Sequence, residues 1–377
     1  MDFTVITTYR CNSKCSMCHV WQNPSHPAEE VDMKTLEKIP FGIDHLNLTG
    51  GEPTLRGDLA QMVDLLHPRA RKLEISTNGL RWQTLKAVIR KYPDIKVRFS
   101  LEGLGEVNDR IRGEAGGFER KVEGVKQLKE LGGCDLGFAA VIQDDNAADL
   151  LPLYRLAQGM GVELATSVLH NAFQFHKADN YPYDRLRGAG AIEGLILEML
   201  KTASVKNWFR AYLNLGLVEK VLGRPRLIPC SAGTDFVFLD PWGDVYACNV
   251  RPDLIMGNLV EQDWEEITSG TAAVEARDRV AACGHNCWMV GSARTAMRHP
   301  RFTRLPKFGP LWWVLVNKAR VTLGLRVPFE RYVDASAAGS LPAGSPRRSY
   351  LGEGGVKRRL QRRDEAHYTQ FGEFDNY

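Results

Sequence analysis

Cys11, Cys15 and Cys18 stand in the run TYRCNSKCSMCHVW as C-x3-C-x2-C. Three thiolates on one short loop suit a cubane iron–sulfur cluster, which ordinarily takes four cysteine ligands. Three ligands leave one iron open to a further molecule. Four more cysteines follow late in the chain, Cys230, Cys248, Cys283 and Cys287, spaced C-x17-C-x34-C-x3-C. Four thiolates can saturate a second [4Fe–4S] cluster. A structural zinc is the alternative, but zinc sites favour C-x2-4-C pairs, and a hairpin-like segment fills the first gap here. The eighth cysteine, Cys134, stands alone in GGCDLGFAAV and reads as a small buried residue at a strand start.

Such ligands need a scaffold. DFTVITTY, HLNLTGG, KLEISTNG, KVRFSLEG, DLGFAAVIQ and VELATSVLH are six strand-like runs, separated by helix-like stretches at 29–39, 58–67, 81–92, 117–131 and 147–159. This alternation predicts an α/β fold with a parallel sheet and right-handed crossovers. We expect a partial (β/α)6 TIM-like barrel with a small C-terminal cysteine-rich β-hairpin/helix extension. In such folds ligand chemistry gathers at the C-terminal strand ends, and Cys11, Gly50–Pro53, Asn78 and Ser100–Glu102 all fall there. The expected organisation is a core over 1–180, a helical connection over 181–227, a cysteine-rich region over 228–290 and an extension over 291–377. FVFLDPWGDVYAC reads as a hairpin. Residues 334–356 are rich in Gly, Ala, Ser and Pro and read as a linker. A basic patch follows (Arg347, Arg348, Lys357, Arg358, Arg359, Arg362, Arg363), then four aromatics in the last ten residues, placed to dock on the body.

The chain has 377 residues, 44% hydrophobic and 25% charged, which is ordinary for a soluble globular protein. A net charge of +4 is too small to imply a nucleic-acid partner. Residues 1–10 show no signal-peptide pattern, and the longest apolar run, Leu311–Val316, is too short to span a bilayer. A cytoplasmic protein is expected, in which clustered cysteines serve metals rather than disulfides.

Taken in order, these motifs resemble those of the radical S-adenosylmethionine (SAM) enzymes. Their signature is C-x3-C-x2-C on the loop after the first strand. The resemblance implies that the open iron chelates SAM, whose reductive cleavage gives a 5′-deoxyadenosyl radical that abstracts a substrate hydrogen. Gly50, Gly51, Glu52 and Pro53 look like the segment that holds the methionine amino group. The glycines there suggest a backbone closely approaching a ligand. Asn78, in STNG, with Ser100 and Glu102 in SLEG and Arg112 in the following IRGEAGG, resembles the ribose and carboxylate contacts. Two departures are Met17, where an aromatic residue is usual before the third cysteine, and Glu102, where Asp is commoner.

The C-terminal cysteines are similar to the auxiliary-cluster extension of SPASM and twitch enzymes, which begins C-x12-G-x4-C, as do Cys230, Gly243 and Cys248. Four cysteines fit the single-cluster twitch form. Together these features imply a radical SAM oxidoreductase in which the auxiliary [4Fe–4S] cluster takes an electron from the substrate radical. A flavodoxin- or ferredoxin-type donor would reduce the first cluster. The expected substrate is a small biosynthetic intermediate: a sugar, a cyclitol or a lipid-linked molecule. The alternative is a peptide-modifying maturase. A core strand starting near residue 3 leaves no room ahead of it for a peptide-recognition domain, which weighs towards the small molecule. Tyr9, Asn47, Glu74 and His170 fall near strand ends as further polar candidates, but no catalytic acid or base can be named among them. Lastly, KFGPLWWVLVNKARVTLGLRV has two readings, a helix packed on the barrel or an amphipathic helix making weak peripheral contact with a membrane.

Overall fold

The computed structural model describes residues 1–177, 179–300 and 309–330. Strands β1 (Asp2–Ile6), β2 (His45–Thr49), β3 (Leu73–Thr77), β4 (Lys96–Ser100), β5 (Asp135–Ile142) and β6 (Glu163–Val168) each pair in parallel with the next. Between them run α1 (Met33–Leu36), α2 (Leu59–Leu66), α3 (Leu85–Lys91), α4 (Glu106–Arg112), α5 (Gly117–Lys129) and α6 (Leu150–Gly159). The sheet order runs 6-5-4-3-2-1 and continues past β1 into three later strands, so the barrel stays open, in agreement with the partial-barrel expectation.

The period-2 alternation of the strands sorts their side chains. Phe3, Val5, Leu46, Leu48, Leu73, Ile75, Val97 and Phe99 are buried in the hydrophobic core. Their neighbours Thr4, Asn47, Thr49, Glu74 and Ser76 instead line cavities inside the barrel. One face of each strand therefore builds the fold while the other is left for ligands.

The 236–246 hairpin forms as read, with β7 (Phe236–Leu239) antiparallel to β8 (Asp244–Tyr246). Asp240 organises its turn by accepting from the Trp242 and Asp244 amides at 2.9 and 3.0 Å. The hairpin is not a separate layer, because β7 pairs in parallel with β1 and extends the core sheet. A third strand, β9 (Ile255–Asn258), completes it. The helical span 184–222 is two helices, α7 (Arg185–Lys201) and α8 (Val205–Val221). Ser204 caps the second by accepting from the Asn207 amide. Three helices follow that the sequence reading did not separate: α9 (Trp264–Ser269), α10 (Thr271–Ala281) and α11 (Val290–Arg298). The tryptophan-rich segment forms α12 (Pro310–Thr322), which packs on α7 and α8. The linker at 334–356, the basic patch and the aromatic C-terminus lie outside the described residues. Among the described residues no helix is long and apolar enough to cross a membrane.

Candidate active site

The loop carrying Cys11, Cys15 and Cys18 leaves the C-terminal end of β1 and is clamped from two sides. On one side, the Gly51 and Glu52 amides donate to the Thr8 and Arg10 carbonyls at 2.7 and 2.8 Å. A Cβ on Gly50 would lie 2.5 Å from the Thr8 oxygen, and one on Gly51 would lie 2.3 Å from the Arg10 oxygen. What excludes side chains here is thus the cysteine loop's own backbone; the sequence reading had assigned that role to a ligand. On the other side, the last carbonyls of α4 would lack helical partners. The Lys14 and Ser16 amides donate to two of them, on Arg112 and Ile111, at 3.0 and 2.8 Å. Gly113, at φ 63°, ends the helix in the left-handed conformation that makes this approach possible.

The three cysteines share one cavity of about 170 Å³ with Gly50, Gly51, Asn78, Ser100, Glu102, Arg112 and Met17. Glu52 and Pro53 do not line it. The buried Glu52 carboxylate is occupied as a structural hub, accepting from the Thr54 amide and hydroxyl, the Thr77 hydroxyl and the Asn78 amide. It fastens the β2 loop to the end of β3.

At the cavity wall lies a buried ionic network. Arg112 donates to Glu102 at 2.8 Å and lies 3.4 Å from Glu114, which also takes the Lys121 ammonium and the Ser13 hydroxyl. Glu102 further accepts from the Val141 amide at 2.7 Å. Burial holds the Glu102 carboxyl above its ordinary value and lowers Lys121 to about 8. Glu114 and Lys121 are parts of the site that the sequence reading missed. Lys121 lies in FERKVEGV, a pattern indistinguishable from a solvated helix face.

Burial pushes the Cys11 thiol up to about 11 and raises Cys15 and Cys18 as well, while the Arg112 guanidinium opposes the shift. Three desolvated sulfur donors facing one cavity beside a buried cation match the donor set of an iron–sulfur cluster. Among the described residues no three His, Cys, Asp or Glu side chains converge on a single metal ion. A cubane needs no such convergence, since each cysteine binds a different iron. Around the extension, Cys230, Cys248 and Cys287 lie within electrostatic reach of one another, and Cys283 lies against the Arg251 guanidinium. The Val250 amide donates to the Cys248 sulfur at 3.3 Å, and Lys220 donates to the Cys287 carbonyl at 3.0 Å.

Beneath the cysteine cavity lies a chamber of about 300 Å³, which shares Cys18, Val20, Thr49, Gly50, His170 and Phe175 with it. Tyr9, Asn47, Glu74 and His170, named from the sequence only as strand-end residues, all line this chamber. Gln174, Asn249 and Arg294 join them without a sequence signal. His170 Nδ1 lies 3.0 Å from the Val168 carbonyl, which can only accept, so the ring proton sits on Nδ1. Its buried Nε2, without a partner among the described residues, is then a bare acceptor. Desolvation, reinforced by Lys220, lowers this imidazole to about 3 and keeps it neutral. Through Glu74, Val290 and Arg294 the chamber adjoins a third cavity, of about 550 Å³. Lys96, Arg98, Lys206, Arg210, Arg294 and Arg298 line that one.

Residues 5–157 match the family described as the radical SAM superfamily, and residues 230–288 match SPASM, an iron–sulfur cluster-binding domain. The chain is 27% identical over 327 residues to the mycofactocin maturase MftC of Mycobacterium ulcerans, covering 80% of this chain and 84% of that one. It is also 27% identical over 323 residues to the pre-heme d1 synthase of Dinoroseobacter shibae, covering 76% and 80%. In fold it resembles the crystal structure of Streptococcus suis SuiB bound to the precursor peptide SuiA. That likeness has a TM-score of 0.54 and 17% identity, and covers 73% of this chain and 66% of that one.

Proposed function

Because the chain is a radical SAM enzyme with a C-terminal SPASM iron–sulfur region, we propose that it is a maturase that modifies a peptide. Its cofactors are SAM, the [4Fe–4S] cluster that binds SAM, and an auxiliary iron–sulfur cluster. In this reading Cys11, Cys15 and Cys18 hold the first cluster, and Cys230, Cys248, Cys283 and Cys287 hold the second. When bound, these groups supply a hydrogen-abstracting radical and an electron acceptor.

The chain's own residues do the rest. The glycine clamp and the end of α4 fix the cysteine loop. Asn78, Ser100, Glu102 and Arg112 orient SAM in the upper cavity, with the Arg112–Glu102 pair setting its charge. The substrate occupies the chamber below, where His170 Nε2 accepts a hydrogen bond from its N–H or O–H. In this reading a longer substrate threads the three adjoining cavities towards the cysteine loop. A chamber of about 300 Å³ lies at the small end of ligand pockets, about 300–1,000 Å³. It suits one side chain of a longer substrate.

The observation that carries this reading is the similarity to a maturase over 80% of the chain, supported by a fold neighbour seen with its precursor peptide. Nothing in these similarities points to the sugar or cyclitol expected from the sequence. A second reading, a small macrocyclic substrate, draws on the comparable similarity to pre-heme d1 synthase. Co-expression with short open reading frames flanking the gene, followed by mass spectrometry of the peptides, tests the proposal. It predicts a peptide mass change that disappears when Cys11, Cys15 and Cys18 become Ser. Unmodified peptides together with turnover of a tetrapyrrole would favour the second reading.

A further inference from the structure

We infer that α12 and the basic stretch after it seat this enzyme on an anionic lipid bilayer. The helix has two apolar faces with different fates. Its inner face is committed to the protein. Val314 and Asn317 are buried, Trp313 meets the Tyr212 ring at 5.7 Å, and Lys318 donates to the Leu200 and Thr202 carbonyls at 2.9 and 3.1 Å. The helix is therefore a fixed part of the body, as the packing reading expected.

Among the described residues its outer face has no such partner. Leu311 is 39% exposed, and Trp312 and Leu315 are each 54% exposed; Leu323 and Leu325 follow at 73% and 55%. Of the eleven large hydrophobic side chains left exposed among the described residues, five fall within Leu311–Leu325. Scattered exposed apolar residues need no explanation, whereas this density on one short segment does.

Charge selects the occupant. From Lys307 to Phe329 the sequence holds no Asp or Glu, while Arg320 and Arg326 flank the apolar stripe. Between Arg347 and Arg363 it then places seven cations against one carboxylate, Glu353. A second copy of this chain would bring like charges together across the face. An anionic bilayer answers both features: it takes Trp and Leu into its interfacial region and attracts the cations. The seat lies one helix from the basic cavity, because α8 presents Trp208 to Lys318 and Lys206 and Arg210 to that cavity.

Flotation of the full-length, anaerobically purified protein tests this, using vesicles of pure phosphatidylcholine and of equimolar phosphatidylcholine and phosphatidylglycerol. The protein should float with the anionic vesicles, weakly or not at all with the neutral ones, and less as salt is raised. Leu315→Glu should weaken partitioning about tenfold or more, since it removes one inserted side chain and adds a carboxylate. Neutralising Arg358, Arg359, Arg362 and Arg363 to Gln should weaken it further. Val274→Glu, at another exposed apolar position, should change nothing. Absence of flotation, or flotation indifferent to Leu315→Glu, overturns the inference. So does a lipid-free dimer that Leu315→Glu converts to monomer, which would assign the face to a second copy.

Discussion

Replacing Arg112 by Met removes the cation that compensates Glu102. In the native structure Arg112 and Glu102 are 6% and 2% exposed and lie 2.8 Å apart. Breaking a buried pair by removing one partner costs about 3–5 kcal/mol, because an uncompensated charge stays behind. Glu114 keeps Lys121 and Ser13, so the loss concentrates on Glu102, left with the Val141 amide. Protonation offers it an escape. Burial already raises this carboxyl, and without Arg112 it rises further, so the penalty shrinks as the pH falls. The apoprotein should therefore lose about 3 kcal/mol or more at neutral pH and less in mild acid. Arg112→Met/Glu102→Met should recover part of the loss, with a coupling of about 1–3 kcal/mol. Anaerobic urea unfolding of the apoprotein, followed by circular dichroism, measures Arg112→Met, Glu102→Met and the double variant without SAM. A single-variant loss under about 1 kcal/mol, or a double variant that merely adds the two penalties, would refute this account of the pair.

Three further outcomes follow from the same geometry. Gly51→Ala should cost more than about 2 kcal/mol and lower iron uptake on reconstitution, because its Cβ would meet the Arg10 carbonyl at 2.3 Å; iron per chain reads this directly. Lys121 has its pKa depressed to about 8 by burial, below the ordinary 10.4. Its burial cost is complete below about pH 8 and is relieved as the pH climbs towards its unfolded value. Relative to Lys121→Met, the wild type should therefore gain about 3 kcal/mol between those limits, measured by unfolding across that range. His170→Leu should preserve SAM cleavage in the absence of substrate yet abolish peptide modification, and parallel chromatography of 5′-deoxyadenosine and peptide separates the two.

The strands were legible because a parallel sheet buried by helices needs apolar runs, and DFTVI or KVRFS cannot easily be anything else. The polar residues that end them marked the ligand rim, and the structure gathers Cys11, Gly50, Asn78, Ser100, Glu102 and Arg112 there in one cavity. Other features had no local signal. That β7 would pair with β1 depends on a contact between residues more than two hundred positions apart. The strand IMGN is too short and too glycine-broken to stand out, and EVNDRIR looks polar until its carbonyls are seen to hold the cysteine loop. Glu52 matched its motif, but a motif does not show which way a carboxylate faces. Here it faces Thr54, Thr77 and Asn78 and knits two loops together. Arg294 comes from a segment beyond every recognised motif, yet it reaches back to Asp2 at 2.7 Å and lines the chamber.

The most direct test of the central claim follows one hydrogen. A short peptide encoded beside the gene, produced with deuterium at its non-exchangeable positions, is incubated with reconstituted, reduced enzyme and SAM, and the 5′-deoxyadenosine is weighed by mass spectrometry. Deuterium in the 5′-deoxyadenosine, matched by a change in the peptide and absent from the Cys11→Ser/Cys15→Ser/Cys18→Ser variant, is the predicted result. 5′-Deoxyadenosine formed without deuterium, beside an unchanged peptide, would contradict the peptide-maturase account.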